Sequence, residues 1–192
     1  MVNENDEDKK RVQELGRAEM VYNIIKARYE LAWKNKCILD EKASRIIGFV
    51  GILITLYVGV SNFTLRNISK TEAINLYINI KPYDILISIF LLGVISLLCS
   101  LFIALRAYSL KNWQVNPEPN EFLNNYAANE NRSEVEILGT LSRTTANDIK
   151  QNETTNDERA RDITWAIRTL IFGVLLSVVF VVIAIWVNGE NV

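Results

Sequence analysis

Residues 15–61 read LGRAEMVYNIIKARYELAWKNKCILDEKASRIIGFVGILITLYVGVS. In this stretch a heptad repeat suited to a water-facing helix passes, without a proline, into an uncharged segment long enough to cross a bilayer. Leu15, Ala18, Tyr22, Ile25, Tyr29, Ala32, Leu39, Ala43 and Ile46 take successive a and d positions, and Lys36 is the only break. Residues 46–65 carry no charge, and about 20 apolar residues at ~1.5 Å each match a ~30 Å hydrocarbon core. One helix is therefore expected to stand in the cytosol and continue into the membrane.

The rest of the chain repeats the signal. Of 192 residues 49% are hydrophobic, a share that an ordinary soluble domain could also have. Here the apolar residues are concentrated in three charge-free windows, 46–65, 85–105 and 169–189, each longer than the ~18 residues at which a span is the better reading than a core helix. The expectation is an all-α integral membrane protein with three transmembrane helices and cytosolic helical extensions. Its parts are a disordered leader (1–10), a cytosolic heptad helix (11–45), the first span (46–65), an outer loop (66–84), the second span (85–105), a cytosolic helical segment (106–168), the third span (169–189) and an outer tail (190–192). The first apolar window lies behind a long charged helix, so it does not read as a removable signal peptide.

Lys and Arg set the orientation, since cytoplasmic flanks retain them. Residues 1–45 carry 10, residues 66–84 carry 3, residues 106–168 carry 8 and the tail after residue 188 carries none. That distribution places the N-terminus in the cytosol and the C-terminus outside.

Composition also removes whole classes of chemistry. Histidine is absent, which excludes Ser-His-Asp and Cys-His catalysis and histidine-ligated zinc. Cys37 and Cys99 are lone cysteines expected in different media, so no disulfide is expected between them. A net charge of −1 gives no basic field for nucleic acid. No enzyme, metal or cofactor is expected. None of the spans contains an ionisable Asp, Glu, Lys or Arg, and such residues are the usual mark of coupled transport.

Small residues gather on single faces of the spans at ~100° per residue. Ser44, Gly48, Gly51, Thr55 and Gly59 share one face of the first; Ser88, Gly93, Ser96, Cys99 and Ser100 one face of the second; Ala166, Thr169, Gly173, Ser177, Ala184 and Asn188 one face of the third. Such faces let helix backbones approach where lipid supplies no hydrophobic driving force. They pack either the spans of one chain or different chains, with hydroxyls lining a pore. The heptad seam through Leu15, Tyr22, Ile25, Tyr29 and Leu39 has a similar choice: another helix of the same chain, a homo-oligomeric coiled coil, or a membrane surface. Lys36 at an a position would lower stability but fix register.

In the connecting segments, the alternation of Ile74, Leu76, Ile78 and Ile80 with polar residues suits a short strand or an interfacial helix. Pro117 and Pro119 end any extension of the second span. Ser133 with Glu136 forms a capping box that starts a helix. Residues 152–157 are poor helix formers, and Thr155 with Glu158 offers a second capping box, so the last helix is expected to restart near Asn156. Trp113, Trp165 and Trp186 sit where interfacial aromatics belong.

The junction Leu39-Asp40-Glu41-Lys42-Ala43-Ser44, followed by Ile46-Ile47-Gly48-Phe49-Val50-Gly51, resembles the transmembrane effectors of Pycsar-type anti-phage systems and their prokaryotic relatives. In these an N-terminal helix ending in Leu-Asp-x-Lys-Ala leads directly into a Gly-containing first span. The resemblance is specific over residues 39–51 and extends to the remainder in layout alone. It implies a homo-oligomeric effector that assembles and compromises the inner membrane when a partner cyclase makes a cyclic nucleotide. A non-enzymatic scaffold that recruits a soluble partner through its cytosolic helices is the alternative. The sequence contains no phosphate-cradling Gly-rich loop.

Overall fold

The computed structural model describes residues 4–68, 82–109, 113–114 and 133–189. All regular structure among them is helical: α1 (Glu4–Ile68), α2 (Pro82–Tyr108) and α3 (Glu134–Gly189). The strand or interfacial helix expected at 74–80 and the Pro117–Pro119 break lie outside the described residues.

Two boundaries differ from expectation. The helix begins at Glu4, inside the segment expected to be a disordered leader. Elongating an existing helix toward its N-terminus needs no new nucleus. α3 runs through residues 152–157 without a break. There Thr155 turns its hydroxyl back to the Gln151 carbonyl instead of capping a new helix. The capping box at the start of α3 is formed: the Glu136 amide donates to Ser133 Oγ, and the Ser133 amide to the Glu136 carboxylate. α2 opens at Pro82, where a missing N–H costs nothing, with Asp84 in its first turn and Arg106 in its last.

The chain divides into two compact units. One comprises Met1–Ile38 with Leu110–Glu158, the other Leu39–Ser109 with Arg159–Val192. In the first, α1 and α3 run parallel: Asn156 Nδ2 donates to the Ala32 carbonyl at 3.0 Å, and further back the side chains of Ala18 and Ile25 line a gap with those of Val135 and Ala146. Along α1 the heptad seam is the less exposed side. Leu15, Ala18, Tyr22, Ile25, Tyr29 and Lys36 are half-buried and Ala32 is buried. Lys36 holds its register position over two indoles, its ammonium 4.8 Å from the Trp33 ring centre and 5.7 Å from that of Trp113. The two rings meet edge to face at 5.7 Å, geometry in which each ring presents electron density to the cation. Trp113, expected at the membrane interface, is thus a packing partner of Trp33. Trp165 and Trp186 face outward as interfacial aromatics do.

The second unit is a three-helix bundle. Its core joins Ala43, Ile46, Val50 and Tyr57 of α1 to Leu86, Leu97 and Ala104 of α2 and Ile163, Ala166 and Phe180 of α3. α2 runs antiparallel to α3, since Ser96 bonds Thr169 while Ser100, further along α2, bonds the earlier Ala166. One ring from each helix meets at the centre: Tyr57, Phe90 and Phe180 lie with centroids 5.1–5.8 Å apart. All three helices are long and apolar enough to cross a membrane, and only 17–22% of each apolar window is buried inside the protein. Phe49, Ile52, Leu56, Leu91, Phe102, Phe172 and Leu175 point outward. Water would make that outward surface costly at about 25 cal/mol per Å². A hydrocarbon surround removes the cost, as a multi-pass membrane protein requires.

Candidate functional site

The most concentrated polar chemistry of the bundle lies at the start of the spans. One turn of α3 carries Arg159 and Asp162, each engaged by a different helix. Arg159 is 1% exposed, and its Nη1 donates to Asp40 Oδ1 of α1 at 2.8 Å. Asp162 receives Arg106 of α2, whose Nε lies 3.3 Å from Oδ2 as a charge contact without hydrogen-bond alignment. Two ion pairs of opposite sense thus tie α1 and α2 to the same turn of α3. Asp40 belongs to the boundary motif read from the sequence, and the neighbouring helix shares its charge; Lys42 and Arg45 of the same motif point outward. Local spacing gave no sign of Arg159, because its partner is 119 residues away.

A hydroxyl ladder continues from this clamp into the bundle. Ser100 Oγ donates to the Ala166 carbonyl and Ser96 Oγ to the Thr169 carbonyl, each at 2.8 Å. Interhelical bonds of this kind contribute about 0.6 kcal/mol each in membrane bundles. Gly93 and Gly173 complete the contact by absence of a side chain. A Cβ at Gly93 would lie 2.9 Å from the Tyr57 ring, and one at Gly173 2.9 Å from Leu97 Cδ2.

The small residues singled out in the sequence therefore divide in two. Gly93, Ser96, Ser100 and Gly173 are buried between helices of this chain, and Ser177 is half-buried, donating to the Gly173 carbonyl. Ser177 also lines an outward-opening apolar groove of about 330 Å³ with Leu53, Tyr57, Val174 and Val181. Ser44, Gly48, Gly51, Thr55 and Gly59 face outward, and a Cβ at any of the three glycines would meet nothing within 4 Å. Ser88 also faces outward and bonds its own helix at the Asp84 carbonyl.

A feature that the heptad reading missed lies on the opposite side of α1. Met20 is 66% exposed, Ile24 55%, Leu31 58% and Ile38 40%, and with the exposed Ala27 they follow at intervals of four, three, four and seven residues, the polar Lys34 and Asn35 standing in the last gap. This is a second apolar stripe, on a segment that the sequence places in water. α3 offers no counterpart: Glu136, Arg143, Asn147, Lys150 and Glu153 face outward there. The signal was present in the sequence as a shorter 4-3-4 spacing from Met20 to Leu31, hidden by the stronger Leu15–Ile46 pattern.

Among the described residues no group of His, Cys, Asp or Glu could hold a metal ion. Cys37 and Cys99 are free and exposed. Compared with known protein families, with curated proteins and with solved structures, the chain matches none.

Proposed function

We propose that the protein is a non-enzymatic membrane effector of a prokaryotic anti-phage defence system, which oligomerises on a cyclic-nucleotide signal from a partner cyclase to disrupt or permeabilise the inner membrane. Its N-terminus is cytosolic and its C-terminus outside. The observation that carries the reading is the second apolar stripe of α1. The seam at Leu15, Tyr22, Ile25, Tyr29 and Leu39 is taken up within the chain, whereas Met20, Ile24, Leu31 and Ile38 remain free to meet another copy. Membrane anchoring holds all copies in one orientation, which favours parallel pairing of this stripe. The outward glycine face of the first span offers a second surface for contact between chains. The same stripe would serve the alternative, a scaffold that recruits a soluble partner.

The test is Met20→Glu/Leu31→Glu, two charges placed where each monomer is exposed. Expected results are a helical, stable protein that no longer cross-links to itself in membranes, and loss of depolarisation and growth arrest when the cyclase and phage are present. A wild type that never cross-links to itself but retains a soluble protein through this stripe favours the scaffold. A wild type that never depolarises the membrane under infection removes the effector reading.

A further inference from the structure

Three basic side chains at this end of the bundle are matched to carboxylates, and Lys42, Arg161 and Arg168 have no ion pair among the described residues. Arg159 meets Asp40, Arg106 meets Asp162 and Arg45 meets Glu41. Arg161 and Arg168 are exposed, and no carboxylate within ion-pair distance of either is found among the described residues. They are four and three residues from Trp165, so the three share one face of α3. The Arg168 guanidinium lies 5.2 Å from the centre of the outward-facing Trp165 ring. Stacked in this way, the planar cation keeps its N–H groups free for another acceptor.

The same face continues into the third span. Phe172, Leu175 and Val179 follow at the same helical spacing, and each is about half exposed. A molecule lying along this face would meet two guanidinium groups and an indole at one end and a hydrocarbon strip at the other. That order matches a phospholipid: a phosphate at the boundary and an acyl chain in the core. Guanidinium binds phosphate oxygens in paired hydrogen bonds, and two uncompensated cations favour a headgroup with net negative charge over a zwitterionic one.

We propose that Arg161, Trp165 and Arg168 form a binding site for the headgroup of an anionic phospholipid in the leaflet facing residues 106–168, with its acyl chain along Phe172, Leu175 and Val179. The site rests on the membrane-spanning reading of α3 and is independent of effector activity. It gives the third span a fixed depth and makes retention of the protein's lipid shell dependent on membrane composition.

The test is native mass spectrometry of the full chain released from mixed micelles holding equal amounts of phosphatidylglycerol and phosphatidylcholine, with inorganic phosphate added in a parallel arm. The wild type should retain phosphatidylglycerol over phosphatidylcholine by about tenfold, the scale expected when one to two basic residues act at an anionic surface. R161Q/R168Q should bring that ratio near parity, while K9Q/K10Q, distant in sequence and exposed, should keep it. Trp165→Leu keeps both charges and should lose several-fold of the preference, because Arg168 loses the ring that orients it. The proposal is overturned if the wild type shows no preference, if R161Q/R168Q and Trp165→Leu both retain it, or if millimolar inorganic phosphate displaces the lipid, which would make free phosphate the ligand.

Discussion

Arg159 is the residue on which the bundle's polar chemistry converges. A guanidinium 1% exposed has lost its hydration, and Asp40 returns part of that loss through a 2.8 Å charge-assisted bond. Asp40→Asn keeps the shape and removes the charge. It should cost about 3 kcal/mol, at the low end for a broken buried pair because Asp40 retains some access to water. The double change Asp40→Leu/Arg159→Met removes both charges and should cost less than Asp40→Asn alone, as buried pairs are often replaced by apolar groups with little loss. Thermal unfolding in detergent compares the two, and equal or greater loss in the double variant would mean that the pair contributes stability beyond cancelling its own burial. From sequence Asp40 is a charge shortly before an apolar run, which a neighbouring helix, lipid headgroups or interfacial water could equally take up. The arginine end was not legible, because a lone Arg among Glu158, Arg161 and Asp162 reads as one more charge on a polar helix surface.

At the scale of the helix, the two stripes of α1 make opposite demands. Ala32, 3% exposed on the inner seam, is the sharper place for a charge than Ile25, which borders a gap also lined by Arg17 and Arg143. Ala32→Asp should cost at least about 3 kcal/mol or prevent folding, whereas Val12→Asp, at a site 71% exposed, should stay within about 0.5 kcal/mol. Similar melting of the two variants would contradict the seam. The glycines of the spans allow a paired test. Gly93→Ala must push the Tyr57 ring and should cost about 1–3 kcal/mol. Gly48→Ala meets open space and should be neutral or gain up to about 1 kcal/mol in the isolated chain; if it instead weakens self-association, that face is a contact between copies. The inner seam could be read from sequence because an a/d repeat is local information. The unbroken course of α3 could not. Asn152 and Asn156 are poor helix formers on local grounds, yet Asn152 accepts from the Gln114 amide and donates to its carbonyl, and Asn156 donates to Ala32. Those bonds reach 38 and 124 residues along the chain, beyond any propensity window.

For the whole molecule, the direction of the helices and the placement of basic residues agree. α1 and α3 run parallel within each unit, and the 10 and 8 basic residues of segments 1–45 and 106–168 precede or lie between the spans on one side. A reporter fused after Val192 should therefore be active only if it works outside the cytosol, and cytosolic activity would overturn the three-span arrangement. The three apolar windows and their helical class were legible because charge-free windows of this length are hard to form by chance. The pairing of α1 with α3 required long-range contacts that no local pattern encodes. That pairing also sets a timetable for synthesis. Ala32 and Asn156 are 124 residues apart, and at about 5–20 residues per second the ribosome delivers the partner helix roughly 6–25 s after the seam it must cover. Through that interval both apolar stripes of α1 are without the helix that covers the inner one. Neighbouring ribosomes on one message carry identical uncovered helices, so if copies of α1 associate, they can begin to do so before α3 exists to cover the seam.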